Sequence, residues 1–285
     1  MPQVPERVPY PTRLARSLVR MIAAASMVLA ITTLSTSPAA VAQDLTQFLD
    51  LKSDEFTKAD LSRADIEAMI TGRTEGQAID LSARRLNKLD LSGLDLSGAN
   101  LQSARINGTN FKGAKLDGAV LDQAWGLEAQ FTVASLKGAS LFSTQLMGAK
   151  LDGADFTGAR VAADFSRASL TGARFSDADL SADMRNQSMG LMRGVFRSSD
   201  LTGAVFKGAN LARVVLEYAR LGKADFTGSS LMGAELGGAD LTGANISGAD
   251  FTDADVNSAR LLELVGRGEA KGLDTVKNLD RAYTD

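Results

Sequence analysis

The stretch "LDLSGLDLSGANL", Leu89 to Leu101, decides how the chain is read, because Leu91, Leu96 and Leu101 recur at every fifth position. The series begins at Leu81 and runs through Leu86, Ile106, Phe111, Leu116 and Leu121. It resumes beyond Gly126 at Phe131 and reaches Leu261. Two residues before most of these apolar centres stands a small one, such as Ala99, Ala104, Ala114 and Ala119. On a helix each step of five turns the apolar residue by about 140°, so no stripe forms. In a straight strand an odd step flips it to the opposite face. The spacing is met by a short extended segment, which puts positions i−2 and i on one side, followed by a corner. With corners of about a right angle, four such sides close a square coil of about 20 residues, and coils stack at roughly 4.8 Å. Leu, Phe and Ala then point inward, while i−1, i+1 and i+2 point outward. Glycine at i+2, as in Gly93 and Gly98, suits the corner.

The motif Ala-(Asp/Asn)-(Leu/Phe)-x-x resembles that of pentapeptide repeat proteins, and the resemblance extends from residue 79 to about residue 261. It implies an all-β solenoid, a right-handed quadrilateral β-helix. The frame loses one residue between Val161 and Phe165 and gains one between Leu180 and Leu191, so the two slips cancel. The count then comes to about nine coils, a rod of about 43 Å. On that count Phe156, Phe175 and Phe196 share a face, as do Phe111 with Phe131 and Phe206 with Phe226.

Both ends of such a rod need covers, because they leave strand groups and apolar interior open. Upstream, residues 43–78 form a cap segment with a helix: Ser62 to Asp65 resembles a capping box, Ile66, Met69 and Ile70 share a face, and Gly72 ends it. The repeat domain occupies 79–262. Residues 263–285, with Leu273-Asp274 and Leu279-Asp280 six residues apart, read as a C-terminal cap or tail. Residues 1–42 read as a signal peptide, with a basic start ending at Arg20, an apolar run from Met21 to Leu34, and Ala40-x-Ala42 before Gln43. The apolar run is shorter than the roughly 20 residues of a membrane span, so the mature chain carries no transmembrane segment. The expected destination is periplasmic or secreted, after cleavage near Ala42.

The composition removes most site chemistry. Of 285 residues none is His and none Cys, which excludes disulfides, the thiol nucleophile, the usual general base and the usual zinc ligands. Nearly every Asp occupies the repeated i−1 or i+1 position, where outward display or bonding to backbone accounts for it. No Gly-Lys-Ser/Thr phosphate loop is present. No catalytic, cofactor or metal residue is assigned.

The resemblance also brings a second reading, since some family members imitate DNA with an acidic rod and bind DNA gyrase. From Asp80 to Leu261 this chain has 20 acidic and 19 basic residues, whereas a DNA mimic needs a strongly negative length. Neither nucleic acid nor a cofactor is expected. A carbohydrate-acting β-helix enzyme is a third and weaker reading. The favoured one is an exported, non-catalytic scaffold for a protein partner or for self-association. Its candidate surface comprises six carboxylates with no Lys or Arg among residues 224–259, namely Asp225, Glu235, Asp240, Asp250, Asp253 and Asp255. Three irregular places are further candidates: Trp125 beside Gly126, Val161 to Phe165, and the segment Ser181–Gly194, which carries Met184, Arg185 and Met189.

Overall fold

A computed structural model describes residues 50–74, 76–184 and 192–285. The expected signal peptide lies outside them, as do Arg185 and Met189. The residues from Asp50 onward form one compact unit.

Each side of the coil contributes one β-bridge, made by the residue before the apolar centre. Asp80, Arg85, Asp90 and Asp95 pair in parallel with Asn100, Arg105, Asn110 and Lys115, one coil on. These four rows define faces one to four. The hydrogen bonds come in a fixed pair: Leu81 N–H donates to Asn100 O at 2.7 Å, and Asn100 N–H donates back to Ile79 O at 2.8 Å. After each centre the chain turns tightly, as where Leu94 N–H donates to Leu91 O at 3.4 Å around Gly93, whose φ is +69°. That left-handed position is where glycine costs least. Val133 holds it too, at φ +51°, so the coil imposes the conformation even on a β-branched residue.

The interior is a single column. Leu81, Leu91, Leu101, Phe111 and their successors are fully buried, and the i−2 alanines fill the space between them. Phe111 stacks on Phe131 at 4.8 Å and Phe206 on Phe226 at 5.0 Å, as the repeat predicts. Gly126 is not a fault. It occupies a buried centre, and an added Cβ would lie 2.9 Å from Leu146 Cδ2 and 3.1 Å from Ile106 Cγ1, so its neighbours above and below already fill the place.

The short step at Val161 to Phe165 is as the sequence predicts. Gln145 bridges Asp164, one residue early, and Ala162 and Ala163 are both buried in the shortened side. The second slip is not. Asp164 bridges Val195 and Asp179 bridges Asn210, so 31 residues separate stacked partners where 19 to 23 do so elsewhere. Leu180 is followed on the next side by Phe196, and Leu191 lies outside the described residues. The ladder bypasses the segment between, which is closed at its base by Gly194 N–H donating to Leu180 O and Asp183 N–H donating to Met192 O, each at 2.9 Å. The expected frame gave those residues two sides of their own, whereas the described ladder passes from Asp179 on face one directly to Val195 on face two. The aromatic faces change with it. Phe196 stacks on Phe165 at 4.9 Å and 6°, and Phe206 stacks on Phe175 at 5.1 Å, while Phe175 and Phe196 meet edge to face at 86°.

At the N-terminal side, α1 (Asp54–Thr57) and α2 (Arg63–Gly72) precede the coils. The α2 helix has the reciprocal capping box of Ser62 and Asp65. Its Ile66 is fully buried in the same core cluster as Leu81 and Leu86, with Met69 and Ile70 packed against that cluster. At the other end, residues 263–285 continue the ladder with six residues per side: Val265, Lys271 and Lys277 bridge Asn245, Asp250 and Asp255. Strand β2 (Tyr283–Thr284) pairs in parallel with β1 (Arg260–Leu261). Leu264, Ala270, Val276 and Ala282, also six apart, pack against the core. A side of six makes a wider coil than a side of five.

Candidate interaction face

The outward residue of each side is ordinarily consumed by the ladder. An Asp at i−1 accepts from the backbone N–H and the hydroxyl of the residue two positions on, as Asp225 does from Thr227 N–H at 3.0 Å and Oγ1 at 2.5 Å. Asp155, Asp200, Asp240 and Asp250 do the same with Thr157, Thr202, Thr242 and Thr252. The Asp-Leu-Thr pattern is thus an Asx turn that stiffens each corner.

The six carboxylates do not form one patch. Asp250 lies on face one, Glu235 and Asp255 on face two, Asp240 on face three and Asp225 on face four, while Asp253 is at the corner between faces one and two. Nor do they lack cations. Lys207 Nζ is 3.2 Å from Asp225, Arg260 Nε 3.7 Å from Asp240, and Arg193 Nη1 2.9 Å from Glu235. All three lie outside residues 224–259, because spatial neighbours sit a coil or more away. Burial pushes the Asp225 and Asp240 carboxyls upward. The hydrogen bonds from Thr227 and Thr242, together with Lys207 and Arg260, outweigh it and hold both below the usual carboxylate range. For Asp250 the Thr252 hydrogen bonds are the leading cause of the same downward shift.

Face two is where the departures from the repeat gather. At its N-terminal end the chain from α1 to Asp60 lies against Arg85, Arg105 and Trp125. Arg85 Nε donates to Asp60 Oδ1 at 2.8 Å, and Arg105 Nη2 donates to Glu55 Oε1 at 2.7 Å. Phe56 meets Trp125 edge-on at 5.7 Å, and the Arg105 guanidinium stands 5.5 Å from each ring. Trp125 is therefore engaged within the chain rather than presented free. Beneath them Asn87 and Asn107, both buried, form an amide ladder: Asn107 Nδ2 donates to Asn87 Oδ1 at 2.9 Å, and Asn87 Nδ2 donates to Glu55 O and Lys58 O.

Midway along, Arg193 at the end of the bypassed segment donates to Arg213 O at 2.8 Å and to Glu235, thereby crossing from one coil to a later one. Val215 lies on the outward row between them yet is only 2% exposed. Met184, at the other end of that segment, is exposed. Toward the C-terminal end of face two lies a groove of about 730 Å³, with Glu235 and Asp255 along it, Arg213 and Met232 on one corner row and Tyr218 on the other. Tyr218 is 66% exposed at a corner with φ +57°. Its ring reaches the next corner, where a Cβ on Gly238 would lie 2.6 Å from Tyr218 Cδ1.

Among the described residues no group of three or more His, Cys, Asp or Glu is placed to hold a metal ion, and no buried side-chain N or O lacks a hydrogen-bond partner. No helix among them is long and apolar enough to cross a membrane. Fold and surface together define a β-solenoid that displays side chains along its faces.

The chain belongs to the pentapeptide repeat family. The family's sequence profile, pentapeptide repeats, matches in eight copies over residues 85–123, 128–160, 161–182, 195–228 and 229–261. It breaks between 182 and 195, where the ladder bypasses its segment. Several solved structures are similar to the chain. HetL, involved in heterocyst differentiation regulation in the cyanobacterium Nostoc sp. strain PCC 7120, is 27% identical over 78% of this chain and 99% of its own, with a TM-score of 0.33. QnrB1, a plasmid-mediated fluoroquinolone resistance protein, is 21% identical over 70% of this chain and 93% of its own, with a TM-score of 0.37. A pentapeptide repeat protein from the Arabidopsis thaliana thylakoid lumen is 26% identical over 38% of this chain and 77% of its own, with a TM-score of 0.25. Comparison with curated proteins finds no match.

Proposed function

We propose that this protein is an exported, non-catalytic scaffold that offers face two of its β-helix to a protein partner. Residues 1–42 serve as the signal peptide, 43–78 as the N-terminal cap, 79–262 as the β-helix and 263–285 as the C-terminal cap. The observation that carries the reading is the gathering on one face of the N-terminal segment, the Arg193 crossing and the Tyr218–Met232 groove. Departures from a repeat on a rigid frame are where recognition is built. The alternating charges elsewhere, such as Asp200 with Arg220 and Asp240 with Arg260, interrupt the continuous anionic stripe that a DNA mimic needs.

Photo-crosslinking residues placed at Tyr218 and Glu235 on face two, and at Lys150 on face three and Ser135 on face four, test this in the native envelope fraction. A discrete protein adduct is expected from the face-two positions alone. Equal adducts from all four sites, or adducts from faces three and four only, would sink the reading. N-terminal sequencing of the mature protein is expected to begin at Gln43.

A further inference from the structure

Residues Asp50–Asp60 act as a strap that climbs face two across three successive coils, with Asp60 at Arg85, Glu55 at Arg105 and Phe56 at Trp125. Contact with the end of the core does not require this climb, because α2 already buries Ile66 there. Within the strap Phe56 alone is buried. Its ion pairs stay open to solvent, with the Asp60 and Arg85 side chains 27% and 39% exposed and Glu55 and Arg105 56% and 23%. Besides the antiparallel bridge of Ala59 with Leu86 and the carbonyls bonded by Asn87, the strap rests on exposed pairs, which hold weakly, and on one ring, which places it among the first parts of the molecule to open.

What lies beneath is organised without the strap. The Asn87 amide is fixed from below by Asn107, whose backbone N–H and Nδ2 both donate to Asn87 Oδ1, at 3.1 and 2.9 Å. Its NH2 is thereby aimed outward, at two main-chain carbonyls of the strap, Glu55 O at 2.9 Å and Lys58 O at 2.7 Å. Two guanidinium groups flank it and receive carboxylates, and Trp125 receives an aromatic ring. Main-chain carbonyls, two acids and a ring together make up the chemistry of a peptide. The strap also fills the place incompletely, since an open-sided cavity of about 560 Å³ remains beside Arg85, Ser103, Arg105, Gln123 and Trp125.

We propose that Arg85, Asn87, Arg105 and Trp125 form a recognition site for an acidic, aromatic-bearing peptide segment of a partner protein, and that residues 50–60 occupy it in cis as a displaceable competitor. This deepens the reading of face two as a partner surface. A tethered strap acts at an effective concentration on the order of millimolar, so a free segment binds the wild-type chain only against that competition.

The test uses the full chain, whose one tryptophan is Trp125, and a labelled synthetic peptide of residues 50–61. In E55K/D60K the strap is repelled by Arg85 and Arg105. Trp125 emission is expected to shift to longer wavelength while far-UV dichroism and the melting transition are kept. Fluorescence anisotropy is expected to show the peptide binding E55K/D60K at least about tenfold tighter than wild type, and Trp125→Ala in that background should remove the binding. Unchanged Trp125 emission, loss of the folded signal on charge reversal, or equal affinity for the two proteins would each overturn the proposal. Because the probe is a defined peptide, the result stands apart from whether crosslinking finds a partner.

Discussion

Faces two and three share one backbone and differ in where their outward side chains find partners. On face three, Asn110 Nδ2 donates to Asp90 Oδ1 at 2.9 Å, Arg220 stands 3.4 Å from Asp200 and Arg260 3.7 Å from Asp240. Each of these partners is the adjacent rung of the same ladder, and only at the N-terminal end does Arg63 of α2 also reach Asp90, at 3.9 Å. On face two, Arg85 and Arg105 are met by a segment that precedes the repeat, and Glu235 by Arg193 from the edge of the bypassed segment. A face whose charges are closed within its own ladder has little left to offer. A face whose charges are closed by pieces from outside the repeat can be reopened.

The comparison can be broken most severely from the core, which both faces share. Phe175→Ala removes the ring between Phe156 and Phe206 and is expected to cost about 3–5 kcal/mol. If thermal denaturation shows much less, the aromatic column is not the common support. Next is Gly238→Ala on the edge of face two, where a Cβ meets the Tyr218 ring and φ is +66°. A loss of about 1–2 kcal/mol is expected, and adding Tyr218→Ala should restore the part due to collision. If the double variant is no more stable than the single one, the collision is absent.

Smaller effects sharpen the contrast between the faces. Arg193→Ala, at a side chain only 18% exposed, should cost about 1 kcal/mol and couple to Glu235→Gln in a double-mutant cycle. Arg220→Ala on face three, at a side chain 72% exposed, should change stability by less than about 0.5 kcal/mol. Equal costs at the two sites would erase the distinction. Acid should act on the ladder as a whole. The Asp225, Asp240 and Asp250 carboxyls are held below their ordinary value. Their contribution is therefore fully present above the unfolded pKa of about 3.9 and is lost as pH falls through the lower folded values. With no His and no Cys in the chain, melting temperature is expected to stay flat from about pH 5 to 8. A transition inside that window would overturn this expectation.

Much of the fold was legible because one local rule repeats. The spacing of Leu91, Leu96 and Leu101, the small residues at Ala99 and Ala104, and glycine at Gly93 state which side chains go in, which go out and where the chain turns. The capping box at Ser62 and Asp65 was likewise local and readable. The number of sides between Leu180 and Phe196 could not be read from spacing alone. The missing Ala-x-Leu pattern through Ser181–Gly194 was the better signal, and the stacking of Phe196 on Phe165 decides it. The C-terminal coil was half visible. The pair Leu273 and Leu279 showed the step of six, but the regular inward row is Leu264, Ala270, Val276 and Ala282, with Leu273 also packed against the core. The candidate face was hardly legible. Trp125 stood out by composition alone, and Tyr218 occupies a corner position held elsewhere by glycine and by side chains of many kinds, without any mark in the repeat.

The sequence by itself determined the square coil, because side-chain direction and corner conformation follow from residues at most five positions apart. Only the tertiary structure decided which residues stand opposite one another. In this fold every lateral contact joins residues a full coil apart, 20 along most of the rod and 31 across the bypassed segment. A miscounted step turns all later residues onto another face, so the charge balance and the candidate face appear only once the register is known.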